Sequence, residues 1–115
     1  MPDDLTIPTF NVHTTEFRPF PEMGGGEALL YRSADGMRVA GSFRESGKHT
    51  MTMPYDEFIY VVAGRMSVTP HGGERHDLEV GDACYIRSGM TVDFEMADGF
   101  QDVTVLMSND EPISY

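Results

Sequence analysis

The spacing His49-x-Met51-x-Met53-x-x-x-Glu57 sets the chemical question, within a segment that continues Phe-Ile-Tyr-Val-Val-Ala-Gly. Successive side chains of an extended chain point to opposite faces, so residues at i, i+2 and i+6 project to one side when the turn between them keeps parity. Met51, Met53 and Glu57 are therefore expected to converge, with His49 and Tyr55 sharing their parity. A carboxyl among methionine, valine and phenylalanine loses hydration, which disfavours its charged form and raises its pKa. That suits a general acid or base working near neutral pH. Glu57 is the expected proton carrier, with His49 and Tyr55 as the polar neighbours that orient a substrate. The competing reading is a structural carboxyl paired with Arg44, Arg38 or a tyrosine hydroxyl. For His49 an exposed or hydrogen-bonded strand histidine is the stronger reading, and Tyr55, which follows Pro54, can point to solvent.

His49, Met51 and Met53 also carry the donors of a cuprous site, because thioether sulfur accepts Cu(I). Packing outweighs that reading. Met37, Met66, Met96 and Met107 fall on expected interior positions as well, the pattern of a pliable apolar lining. Thioethers are poor donors to zinc, iron, manganese or nickel, and one carboxylate cannot hold such an ion alone. Neither a metal nor another cofactor is expected. The expected pocket is lined by Met51, Met53, Val92, Phe94, Met37 and Met96, and suits a small, partly apolar molecule.

Short strands must position these groups. Segments rich in Val, Ile, Thr, Phe and Tyr alternate with Gly or Pro turns throughout, and none has a helical period. Strands are expected at Glu27–Ser33, Arg38–Arg44, Thr50–Met53, Phe58–Ala63, Met66–Thr69, His76–Val80, Ala83–Arg87, Thr91–Met96 and Asp102–Met107. The linker Pro70-His71-Gly72-Gly73-Glu74 makes a hairpin of the fifth and sixth. In Thr91–Met96, Val92, Phe94 and Met96 should face the interior and Asp93 and Glu95 the solvent. Phe58–Ala63 is apolar on both faces, so Phe58, Tyr60 and Val62 need a second cover from the N-terminal arm or a partner subunit. Four of the seven prolines, at positions 2, 8, 19 and 21, mark that arm.

At 115 residues the chain is one domain in size. No apolar run approaches the length of a membrane span, and no basic and apolar leader opens the sequence, so a cytoplasmic protein is expected. The single cysteine, Cys84, cannot form an internal disulfide and is read as a small buried hydrophobe. Nineteen acids against eight Lys and Arg give a formal charge of -11, which repels polyphosphate backbones and argues against nucleic acid as a partner. Met23-Gly24-Gly25-Gly26-Glu27 lacks the ending of a phosphate loop and is read as a flexible turn.

The run from Met51-x-Met53 through Glu57 to Gly64, followed by Gly81-Asp82-Ala83-Cys84-Tyr85-Ile86-Arg87-Ser88-Gly89 into Thr91-Val92, resembles the two signature blocks of the cupin superfamily. The resemblance spans Gly41 to Ser108. In that family the first block carries two His, then Glu and a closing Gly, and the second leads through a Pro-x-Gly turn to a third His. Here the His positions hold Met51, Met53 and Val92, the turn Pro is Arg87, and Glu57 alone remains of the four usual ligands. Tyr55-Asp56-Glu57 and the Gly-Asp-x-x-Tyr-Ile block look most like the ethanolamine-utilisation branch. The resemblance implies an all-β, single-domain cupin fold, a double-stranded β-helix or jelly-roll barrel over residues 27–115 behind an arm over residues 1–26, and a homodimer. With the His positions replaced, a metal-independent pocket protein is expected. A cofactor-independent lyase, isomerase or cyclase using Glu57 leads, a non-catalytic binding or sensor module follows, and acetate-kinase-like activity, linked with that branch, ranks low.

Overall fold

The computed structural model describes residues 5–115, and the first four, including Pro2 of the expected arm, lie outside the described residues. The elements in chain order are β1 (Arg18–Phe20), a 3-10 turn (Pro21–Met23), β2 (Gly25–Arg32), β3 (Arg38–Thr52), β4 (Asp56–Ala63), β5 (Arg65–Pro70), β6 (His76–Glu79), β7 (Ala83–Ile86) and β8 (Thr91–Met107). All strand pairs are antiparallel.

Two long strands organise the domain. β3 and β8 pair from Arg38↔Met107 to Thr52↔Thr91, whereas the sequence suggested two short strands in each case. What looked like a break is a corner. Between Glu45↔Phe100 and Gly47↔Met96, residues 97–99 of β8 stand against Ser46 alone, and Gly47 takes φ +90, a conformation costly for any residue with a Cβ. Beyond the corner β8 exchanges neighbours: residues 92–96 side with β5, residues 101–107 with β4.

The hydrogen-bonded path runs β1-β2-β3-β8-β4-β7, with β5 on the first half of β8 and β6 beyond it. β1, β6 and β7 are not bonded to one another, so the expected closed jelly-roll barrel is corrected to one open, bent eight-stranded sheet. Edges of three or four residues offer too few backbone groups to close it. Its halves meet instead through side chains. Val68, Val92 and Met96 on one half join Val39, Val61 and Leu106 on the other in a single buried cluster. Among the described residues, no helix is long and apolar enough to cross a membrane.

The alternation read from Thr91–Met96 holds: Val92, Phe94 and Met96 are buried, Asp93 and Glu95 exposed. The hairpin of β5 and β6 forms with Met66↔Leu78 and Val68↔His76 in register. The glycine run is not a flexible turn. Gly24 caps the 3-10 turn, and Gly25 and Gly26 open β2, where a Cβ on Gly25 would come 1.7 Å from the Arg44 carbonyl oxygen.

Residues 5–17 carry no strand but run along the sheet. The Val12 carbonyl accepts a hydrogen bond from Gln101 Nε2 at 2.9 Å, and the Phe17 ring lies 3.9 Å from the Arg44 guanidinium. On the outer face of β4, Phe58 and Val62 are half-buried and Tyr60 exposed, in a shallow groove that Val12 and His13 also line.

Candidate functional site

The bent sheet encloses a cavity of about 240 Å³ beside the core, near the lower end of ligand sites, which span roughly 300–1,000 Å³. The second half of β3 contributes Glu45, His49 and Met51; β4 contributes Glu57 and Ile59; β8 contributes Phe94, Met96 and Thr104. Tyr55 enters from the turn before β4 and is buried, not turned to solvent. Aromatic rings border the cavity on another side. Phe20 sits 6.0 Å from Phe43, and the C-terminal Tyr115 meets both edge-on, at 5.9 and 5.7 Å.

The three expected polar residues, Glu57, His49 and Tyr55, therefore share one cavity with Met51, Phe94 and Met96. Three expected lining residues do not join them. Met53 and Val92 are 1% and 0% exposed, packed into the core, and line no part of the cavity. The reason for Met53 is local: β3 ends at Thr52, and Met53 bonds instead to the β7–β8 turn, its N–H to the Met90 carbonyl and its carbonyl to Gly89 N–H. Strand parity stops one residue too early for it. Met37 stands in the turn before β3, where Asp35 Oδ1 accepts its N–H, and is likewise absent from the cavity.

Among the described residues, no arginine or lysine lines the cavity beside Glu57. Arg38 Nη1 donates to the Met37 and Ser108 carbonyls, and Arg44 Nε to Gln101 Oε1 at 3.4 Å. Tyr31 and Arg87 are exposed and line no part of the cavity. Instead a second carboxyl faces the same space. Burial raises the Glu57 pKa from its ordinary 4.5 to about 8, and the negative charge of Glu45 adds to this. Burial likewise lifts Glu45 to about 7. Behind them Asp102, 1% exposed, is held well above the usual carboxylate range by burial and then by Glu45 and Glu57, although its Oδ1 accepts the Phe43 N–H at 3.1 Å. The same causes keep the Tyr55 phenol protonated, far above its usual range.

Two other groups complete the site. His49 Nε2 lies 2.9 Å from the Ser46 carbonyl, which can only accept, so this nitrogen is the donor. Thr104 is 1% exposed and lines the cavity. Its hydroxyl is near enough to Asp102 to lower that carboxyl slightly, yet makes no hydrogen bond of ordinary geometry. Sequence reasoning missed Glu45 and Thr104. Cys84, half-buried against the core, has its thiol pushed up to about 11 by burial and then by Glu57 and Asp102, so it is no nucleophile at neutral pH.

A metal does not fit these residues. Of the three positions that would carry His, two hold side chains packed into the hydrocarbon core and the third a thioether. Among the described residues, no group of three or more His, Cys, Asp or Glu is arranged to hold an ion. A cuprous site fares no better. Met53 is turned from the cavity that His49 and Met51 line, so the three donors do not converge.

Comparison with known proteins supplies the lineage. No curated protein matches the chain. The ethanolamine utilization protein Q of Salmonella typhimurium superposes with a TM-score of 0.70 at 22% identity, covering 84% of this chain and 82% of that one. EutQ of Clostridium difficile gives 0.64 at 19% identity, covering 76% and 71%. A Rhizobium leguminosarum protein of unknown function gives 0.63 at 24% identity, covering 74% and 82%. These likenesses are of fold. The family model for the EutQ-like cupin domain matches residues 32–101, from the end of β2 into the second half of β8, and the chain belongs to that family.

Proposed function

We propose that the cavity is the active site of a metal-independent lyase, isomerase or cyclase in which Glu57 moves a proton. The observation that carries this reading is a pair of carboxyls, Glu45 and Glu57, in an apolar cavity with no arginine or lysine lining it. With a pKa of about 8, Glu57 is poised to give up and take back a proton near neutral pH. In the ionised minority it accepts a proton from a carbon beside a substrate carbonyl, and the electron pair released moves onto the carbonyl oxygen. The neutral Tyr55 phenol is the donor suited to stabilise that oxyanion. Returning the proton to another atom is isomerisation; expelling a leaving group is elimination; attack of the enolate carbon on an electrophilic group of the same molecule is cyclisation.

The test is exchange in D2O. Small carbonyl compounds incubated with the protein should gain carbon-bound deuterium, and Glu57→Gln should abolish the gain; equal exchange by the variant sinks the proposal. The same cavity also supports a binding or sensor role, favoured by the rings of Phe20, Phe43 and Tyr115 at its border. That reading predicts a bound ligand recovered unchanged. An acetate-kinase-like role draws no support from a cavity that no arginine or lysine lines. We also propose a cytoplasmic homodimer that covers Phe58, Tyr60 and Val62, for which light scattering showing a monomer would be the refutation.

A further inference from the structure

Two kinds of element line the cavity. Ile59, Met66, Met96 and Leu106, on β4, β5 and β8, are 2–4% exposed and belong to the packed core. Phe20 at the end of β1 and Tyr115 beyond the last strand belong to the periphery, and Tyr115 is 41% exposed although it lines the cavity. Its ring therefore has one surface toward the cavity and another toward solvent. The chain after β8 is fixed by hydrogen bonds as far as Ile113, which is 5% exposed: its N–H donates to the Gly36 carbonyl at 2.8 Å, and its carbonyl accepts from Arg32 Nη1 at 3.0 Å. Beyond Ile113, among the described residues, no backbone hydrogen bond holds Ser114 or Tyr115. Side chains hold the ring instead. Phe20 and Phe43 meet it edge-on at 5.9 and 5.7 Å, the Arg32 guanidinium lies 5.6 Å from its centre, and the phenol is raised above its ordinary range by burial and then by the neighbouring Glu27. Contacts of this kind are individually weak, so displacing the ring leaves the sheet intact.

From this geometry we infer that the Tyr115 ring is the end wall of the cavity and sets the longest substrate it accepts. The inference rests on the proposed reading of the cavity as a substrate site and names a residue that decides which substrates fit. A carbonyl seated between Glu57 and Tyr55 leaves its carbon chain to run along Met51, Phe94 and Met96. Tyr115 bounds that same space: after burial and the charges of Glu57 and Glu45, its phenol adds to the raising of the Tyr55 pKa. At about 240 Å³ the space suits a short chain. A longer one has to push the ring away from Phe20 and Phe43 and forfeits those contacts. With the ring removed, the parts of Phe20 and Phe43 that it covers become a continuation of the cavity. Glu57 and Tyr55 are carried by β4 and the turn before it, not by the tail, so substrate length and proton transfer are set by different elements.

The nine methionines make the test direct. The full chain is labelled with 13C in the methionine methyls and titrated with straight-chain methyl ketones from butanone to decanone. Each ketone that enters should saturably shift the cavity methyls of Met51, Met66 and Met96 and leave Met37 in place. Affinity should rise about fourfold per added methylene, the value of burying one CH2, until the chain meets the ring, and then level off or fall. In Tyr115→Ala the rise should continue for about two further carbons, so that the ketone two carbons past the wild-type limit binds about tenfold tighter to the variant than to the wild type. Tyr115→Phe, which keeps the ring, should keep the wild-type limit. An unchanged Met53 methyl resonance checks the fold of each variant, and Tyr115→Leu, a milder truncation that should move the limit by about one carbon, stands in if Tyr115→Ala does not fold. The same limit in the wild type and the truncated variant overturns the inference. So does a limit that moves equally in Tyr115→Phe, or the absence of a saturable shift with any ketone. A limit moved by Tyr115→Ala with no deuterium exchange on any ketone overturns catalysis but not the end wall; exchange that Glu57→Gln abolishes, with an unmoved limit, does the reverse.

Discussion

Glu57→Gln should make the protein more stable at high pH and leave it unchanged at low pH. In the folded state Glu57 keeps its proton until about pH 8, whereas an unfolded chain releases it near the ordinary 4.5. Between those values the folded state binds more protons than the unfolded one. Stability is therefore fully present below the unfolded pKa and is lost as pH rises through the folded one. The slope is about 1.4 kcal/mol per pH unit for one group, so the whole interval sets a ceiling of about 5 kcal/mol. Glu57 is half-buried and lines a cavity that water can enter, so about 2–3 kcal/mol is the expected size. Glutamine keeps the shape and never ionises. Urea unfolding of both proteins should give equal stabilities at about pH 5 and a variant more stable by about 2–3 kcal/mol at about pH 8. Other groups do not mask the effect. The pKa values of Asp35, Asp56 and Asp93 are lowered by hydrogen bonds, so their contributions fade only below the window, and Glu45 and Asp102 act in the same direction as Glu57. A difference between the two proteins that does not change with pH, or wild-type stability that rises from pH 5 to 8 by about the same amount, would refute the argument.

Two further predictions separate packing from site. Met53→Ala should cost about 2–5 kcal/mol in a thermal or urea melt because Met53 is 1% exposed in the core, whereas Met51→Ala, at the cavity wall, should cost less and change ligand affinity more; equal costs would mean that the two share one environment. Gly25→Ala should cost more than about 2 kcal/mol and shift the start of β2, because the added methyl would meet the Arg44 carbonyl oxygen and neither backbone can yield alone; a melt unchanged from wild type would refute the close approach.

What could be read from the sequence was what neighbours along the chain decide. The hairpin of β5 and β6 was legible because Pro70 to Glu74 carries its own turn chemistry, and the buried face of Thr91–Met96 because alternation is strict over six residues. Glu57, His49 and Tyr55 were found for the same reason, since parity held from one side of Pro54 to the other for these three. It failed for Met53, whose backbone leaves the β3 ladder to bond with the β7–β8 turn, a contact set by residues more than thirty positions away. Glu45 was invisible because Arg44-Glu45-Ser46 reads as a polar strand end. It is half-buried and faces the cavity only once β3 bends at Gly47, where Phe20 and the C-terminal Tyr115 line the same space. The closed barrel failed likewise: strand number and turn spacing were right, but closure depends on whether edge strands meet, which no local pattern encodes. The residue that local reading missed is also the one that changes the chemistry. One carboxyl is an acid or a base, whereas a second, Glu45, facing the same apolar cavity adds its negative charge to the burial that raises the Glu57 pKa.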